Sequence, residues 1–262
     1  MPEITALIGT WNYANTLPRA IDSMLSQTVE DLELLVVDDG STDATPELMK
    51  SLDDPRIRYE RRPHRGIAAT LNEGVAEARA PYVAVQDADD WSLPDRFERQ
   101  LSVLRARPEV AVVGSRMREV DEHGRELRPR TMFAPGDVGS KLLRYNPVPN
   151  TSAAFRRDVF LELGGYDARY RYAMEYELWM RMAEHHVVHA IDEVLSVRVM
   201  HGGNQGAGNE RAQMREMLRL QVEALRRRRT LRGAGWLAVP ALSLLTPLPL
   251  KRALRRRLGQ AP

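Results

Sequence analysis

The residues in this 262-residue chain best suited to chemistry are Val85-Gln86-Asp87-Ala88-Asp89-Asp90, where the apolar run Tyr82-Val83-Ala84-Val85 ends in three carboxylates. Pro94 follows closely and can open a helix. Strand, acidic turn, helix is how an α/β fold presents charge at the carboxyl edge of its sheet, where ligands bind. Two carboxylates one residue apart reach a divalent cation from a single turn. A hard cation held by few protein oxygens completes its shell with phosphate oxygens. Asp87 and Asp89 therefore point to a nucleotide-diphosphate site, or, taken alone, to a solvated loop.

Two further turns strengthen the first meaning. Thr10-Trp11-Asn12 leaves the apolar run ending at Ile8, and Asp38-Asp39-Gly40 leaves Leu32 to Val37. A right-handed doubly wound sheet brings all three turns to one edge. Capping of the following helix would account for one of Asp38 and Asp39. Asp39 could instead accept the imide N–H of a uracil, with Trp11 offering an aromatic face to the base.

The elements that must position these turns can be read from periodicity. Strands are expected at 3–9, 32–37, 57–60, 82–85 and 110–114. Asn15 caps a helix with Leu17, Ala20, Ile21, Met24 and Leu25 on one face. Thr42 or Asp43 caps a second helix, Gly66 to Ala78 is a third, and a fourth runs from Pro94 to about Arg107. Such alternation means βαβ units and a largely parallel sheet. Beyond it lie a polar hairpin over 117–133, a two-proline loop over 142–150, a helix from Tyr176 to Ala183, a late strand pair (187–191 and 195–199) and a charged helix from Glu210 to about Arg229.

Here a set of segments resembles the family-2 glycosyltransferases of the GT-A fold: Ile8-Gly9-Thr10-Trp11-Asn12, Ser26-Gln27-Thr28, Val36 through Asp43, Arg65 through Asn72, and Asp87-Ala88-Asp89-Asp90. Gly164-Gly165-Tyr166-Asp167 and Tyr176-Glu177-Leu178-Trp179 continue it, so the likeness spans roughly 3–201 in order and spacing. It implies an inverting, metal-dependent transferase using a nucleotide-sugar, UDP-linked by expectation. On that resemblance Thr10, Trp11, Asn12 and Asp39 hold the nucleoside, with Arg65 near the base or phosphate. Asp87 and Ala88 face the ribose or donor sugar, and Asp89 binds Mg2+ or Mn2+. His201, after Arg198 in Arg-Val-Met-His, is a further candidate for the metal or diphosphate. No glycine-rich phosphate loop occurs, which removes support for ATPase and dehydrogenase chemistry.

The base is where the chain departs from its family. An acceptor hydroxyl needs a carboxylate within hydrogen-bond reach. The family has Glu-Asp before the Tyr-Glu-Leu-Trp-like stretch, with the Asp as base; here Met174 and Glu175 stand there. Glu175 keeps the carboxylate but extends it by one methylene, about 1.5 Å of reach, and a displacement near that size can cost about 10²-fold in rate unless the site is reshaped. The rival to an enzyme is thus a non-catalytic nucleotide-sugar-binding partner of a glycan-assembly complex.

Charge is split along the chain. Ten of the 38 Lys/Arg but none of the 36 Asp/Glu lie from Arg226 onward, leaving the preceding 225 residues at a net −8. Residues 233–250 are uncharged and carry Trp236, several leucines and three prolines, bracketed by arginines. Three prolines argue against a simple spanning helix and for shallow insertion into an anionic membrane surface. Nucleic-acid binding would not need the leucines, and the alternative is a flap or homodimer contact. There are no cysteines, so disulfides and thiolate metal sites are excluded. No secretory signal is visible at the start, so the expected location is cytoplasmic, at the inner face of the membrane, with a lipid-linked or cell-surface glycan as acceptor. The expected organisation is a catalytic domain over 1–208 (donor half 1–116, acceptor half 117–208), a charged helix over 209–230 and the tail over 231–262.

Overall fold

A computed structural model describes residues 1–128, 132–202, 209–229 and 232–246. The chain divides into two compact units, Met1–His201 and Gly202–Pro262. The first unit begins β1 (Ile4–Thr10), α1 (Leu17–Leu25), β2 (Leu32–Asp38), α2 (Thr45–Ser51), β3 (Ile57–Arg61), α3 (Ile67–Glu77) and β4 (Tyr82–Asp87). It continues with β5 (Trp91–Ser92), α4 (Arg96–Ala106), β6 (Val110–Asp121), β7 (Gly136–Asp137), β8 (Ala154–Arg156), α5 (Arg157–Glu162), α6 (Met174–Met182) and β9 (Val187–Met200). The second unit holds α7 (Glu210–Arg227) and α8 (Ala238–Leu245), which pack on each other.

The sheet has nine strands in the order β3-β2-β1-β4-β8-β6-β9-β5, with β7 also on β9. β3, β2, β1 and β4 are parallel, and β8 runs antiparallel between β4 and β6. Every residue of β1 and β2 is buried, as expected of parallel strands covered on both faces. In α1, Leu17, Ala20, Ile21 and Met24 are fully buried, the face the spacing predicts. α3 lies close on β1 because residue 74 is glycine: a Cβ there would stand 2.5 Å from Leu7 Cδ1. Register completes the positioning. Thr10 pairs with Asp38 and Gly9 with Asp87, so all three turns leave the sheet at one edge.

Three expectations change. Residues 187–200 form one strand rather than a pair. The charged Asp192-Glu193 interruption is absorbed by irregularities in the β6–β9 register at Ser115–Met117, which leave both side chains in solvent. β6 accordingly runs to Asp121 instead of Gly114. No side-chain hydrogen bond caps α1 or α2; their N-caps are Thr16 and Ala44, and Asp43 instead accepts from Thr45 N at 3.0 Å. Among the described residues no helix is long and apolar enough to cross a membrane.

Candidate active site

The nucleoside side of the sheet edge is built from the turns after β1 and β2 and the loop before α3. Asp39 is buried, and its carboxylate accepts from the main-chain N–H groups of Arg65 (2.7 Å) and Gly66 (2.8 Å) and sits 2.9 Å from His64 Nδ1. Gly66 holds a φ of +89°, a conformation that favours glycine. Trp11 is 48% exposed and lies against the His64 ring, centroids 4.5 Å apart. Thr10 is only 2% exposed, yet its hydroxyl has no hydrogen-bond partner in the protein. A buried hydroxyl left open at a ligand edge is what a bound polar group would satisfy.

Two expected nucleoside residues are placed differently. Asn12 spends its side-chain oxygen on Thr42 N (2.7 Å) and Asp43 N (3.2 Å), stapling two turns together from a φ of +61°. The Arg65 guanidinium is exposed and pairs with Glu73, while its backbone N–H donates to Asp39. Asp38 does not cap the following helix, as foreseen for one of the two aspartates; it accepts from Ser41 N at 2.8 Å and from the Tyr59 hydroxyl at 2.6 Å.

The turn after β4 gathers charge. Asp87, Asp89 and Asp90 each offer a carboxylate oxygen within 4.8 Å of the others, and His201 Nε2 lies 2.8 Å from Asp89 Oδ2. Ala88 is buried and contributes backbone geometry. Burial, with Asp89 close by, pushes Asp87 up to about 6. Burial also raises Asp90 well above the ordinary range, with Asp87 and Asp89 adding to it. Arg198 opposes both shifts. Crowded carboxylates that hold protons at mild pH fit a hard divalent cation, whose charge would relieve the crowding.

Across from this turn α6 presents Glu175. It is partly exposed, and desolvation pushes it up to about 7, its own backbone N–H and Arg198 opposing and Asp87 adding. Asn146 Nδ2 donates to its Oε1 at 3.1 Å. Tyr166 donates its hydroxyl to Asn150 Oδ1 at 2.8 Å, and Asn150 in turn bonds Asp87. Asp167, by contrast, is tied to Arg169 at 2.8 Å, which lowers it. The arrangement brings a partly exposed carboxyl, a cluster of three carboxylates and the Thr10, Trp11 and Asp39 edge together.

The sequence profile of Glycosyl transferase family 2 matches residues 5–164. The chain belongs to that family. Among relatives, the amylovoran biosynthesis glycosyltransferase AmsE of Erwinia amylovora is 27% identical over 95% of this chain and 97% of its own length. Chondroitin synthase of Pasteurella multocida is 27% identical over 87% of this chain, which spans only 24% of that protein. The fold is that of the mannosyltransferase PcManGT from Pyrobaculum calidifontis, solved with GDP-Man and Mn2+: TM-score 0.69, 20% identity, 98% of this chain and 80% of that one. His64, Asn146, Asn150 and Tyr166, none of them a sequence-predicted site residue, touch Asp39, Glu175, Asp87 and Asn150 respectively. Only Tyr166 lies in a recognisable motif; His64 and Asn146 sit in loops and Asn150 opens a single 3-10 turn.

The raised carboxyls tie cation binding to pH. A carboxyl whose folded-state pKa exceeds its unfolded value keeps a proton that the unfolded chain has released, so its contribution to stability is lost as pH rises through the folded pKa. For Asp87 and Glu175 that window runs from about 4 to about 7. A cation binds the ionised forms and restores the loss. The rise in melting temperature produced by Mn2+ should therefore be larger at about pH 8 than at about pH 5. Scanning calorimetry checks this, and an equal rise at both values contradicts it.

Proposed function

We propose that the Met1–His201 unit transfers a sugar from a nucleotide-sugar to a hydroxyl acceptor with inversion at the anomeric carbon. The observation that carries this reading is Glu175, a carboxyl pushed up to about 7 and close enough to Asp87 to feel its charge. A base is matched to neutral pH when its pKa lies near 7. Thr10 and Trp11 seat the nucleoside and Asp39 supplies the acceptor for a uracil imide, which favours a UDP-sugar. Asp89, with Asp87 and His201, would hold Mg2+ or Mn2+, and such an ion when bound offsets the charge developing on the diphosphate. Glu175 takes the acceptor proton as the acceptor oxygen bonds to the anomeric carbon. The bond from that carbon to the diphosphate oxygen breaks on the opposite face, so the centre inverts.

Glu175→Gln tests the assignment. The amide keeps shape and cannot take a proton, so transfer from the productive member of a UDP- and GDP-sugar panel should fall by about 10² or more, with UDP affinity near wild type. Undiminished transfer would move the base elsewhere. A wild-type chain that binds UDP yet turns over no donor in the panel would favour the non-catalytic partner.

The second unit and the names of the relatives support a reading of acceptor and location. We infer that a growing cell-surface or lipid-linked glycan is the acceptor and that residues 231–262 bring the enzyme to an anionic membrane surface. The catalytic domain would then be 1–208 (donor half 1–116, acceptor half 117–208), with 209–230 as the connecting charged helix. Trp236, Val239, Leu242 and Leu245 are exposed, at intervals of three through the turn before α8 and α8 itself. Arginines lie on both sides in sequence, and each basic residue near an anionic surface adds about 1 kcal/mol. The truncated chain 1–230 should stay folded, bind UDP and lose co-sedimentation with phosphatidylserine vesicles. Vesicle binding retained, or a truncated chain that aggregates, would overturn the membrane role, the latter in favour of a dimer contact.

A further inference from the structure

Glu175 carries one more rotatable bond than the aspartate that the family places there, and that freedom must be removed for the carboxylate to act as a base in one geometry. We propose that Asn146 is the positioning residue of the base: its amide fixes one oxygen of Glu175 so that the other is left for the acceptor. The proposal rests on Glu175 being that base.

The geometry is determined from both ends. Asn146 Nδ2 donates to Glu175 Oε1 at 3.1 Å, while Asn146 Oδ1 accepts from Val148 N at 3.1 Å. The second bond sets the amide's orientation, because only an oxygen can accept there. Asn146 also precedes Pro147, which confines its backbone to extended conformations. Val148 is fully buried, and its carbonyl accepts from Trp179 Nε1 at 2.8 Å. It presses on Gly114, where a Cβ would stand 2.6 Å from Val148 Cγ1. The Tyr176 hydroxyl reaches back to the Leu142 carbonyl. Thus α6, which carries Glu175, also pins the loop that restrains it.

The groups facing Glu175 are Asp87 from β4, Arg198 from β9, the Tyr166 phenol and Asn146 itself. Asp87 disfavours the ionised base; Arg198 and the Asn146 N–H favour it. The carboxylate also bonds the backbone N–H of its own residue, and Asn146 is the side chain on another element that restricts where it points. Truncating Asn146 should therefore alter both ionisation and turnover while sparing the donor cleft.

The test uses the full chain carrying 13C-labelled glutamate, with Asn146→Ala and the isosteric Asn146→Asp. The Glu175 carboxyl resonance is assigned by its loss in Glu175→Gln. Its titration midpoint should move upward in both variants, further in Asn146→Asp, where a like charge replaces a donor. Turnover of the donor should fall between about tenfold and a hundredfold, with UDP–Mn2+ affinity by calorimetry unchanged. Adding Asn146→Ala to Glu175→Gln should cost nothing more. An unmoved midpoint in folded Asn146→Asp, or a further loss in the double variant, would overturn the role of Asn146. Transfer retained in Glu175→Gln would refute the base assignment itself, a different failure.

Discussion

Arg96 lies fully buried in α4, directly beneath the acidic turn, and the site depends on how its charge is satisfied. Its guanidinium donates to the side chains of Gln86, Ser92 and Gln100 and to the carbonyls of Val85 and Ala153, at 2.8 to 3.1 Å. Burial lowers its pKa to about 9, with Asp87 and Asp90 pulling the other way, so it remains a cation at neutral pH. A buried charge is tolerated only when its donors are used, and here they join β4, β5 and α4 to the strand entering β8. Gln100 extends the layer to the Val113 and Ser152 carbonyls, and Thr151 accepts from the Asp87 N–H. The polar layer under the turn fixes the backbone from which Asp87, Asp89 and Asp90 project.

That rigidity has an electrostatic consequence. Burial and the neighbouring carboxylates raise Asp87 and Asp90, and Asp87 reaches far enough to raise Glu175 as well. Tyr13, pushed up to about 12 by burial and then by the same three aspartates, stays a neutral phenol beside them. A cation bound there would remove the repulsion and lower the raised carboxyl pKa values together.

Much of this was legible in the amino-acid sequence. The βαβ rhythm, the shared edge of three turns and the acidic cluster follow from periodicity and from carboxylates at strand ends. Loop contacts were harder to foresee. Asn12 and Asp39 read alike as polar turn residues, but one staples loops while the other is held by two backbone N–H groups at the cleft. Asn146 carries no local signal because its partner is 29 residues away on another element. The split of β9 was misjudged because Asp192-Glu193 looks like a turn until a register shift places both side chains in solvent. Arg96 was invisible for a related reason: an arginine at a helix start reads as surface, and only the neighbouring Gln86, Ser92 and Gln100 make its burial possible.

The central claim is that the turn after β4 is a cation-dependent nucleotide-diphosphate site. Isothermal calorimetry of UDP binding, with Mn2+ and with chelator, on the wild-type chain and on Asp89→Ala, tests it most directly. The account predicts that Mn2+ tightens UDP binding to the wild type by at least about tenfold and leaves binding to Asp89→Ala unchanged. An equal gain from Mn2+ in both proteins would contradict it.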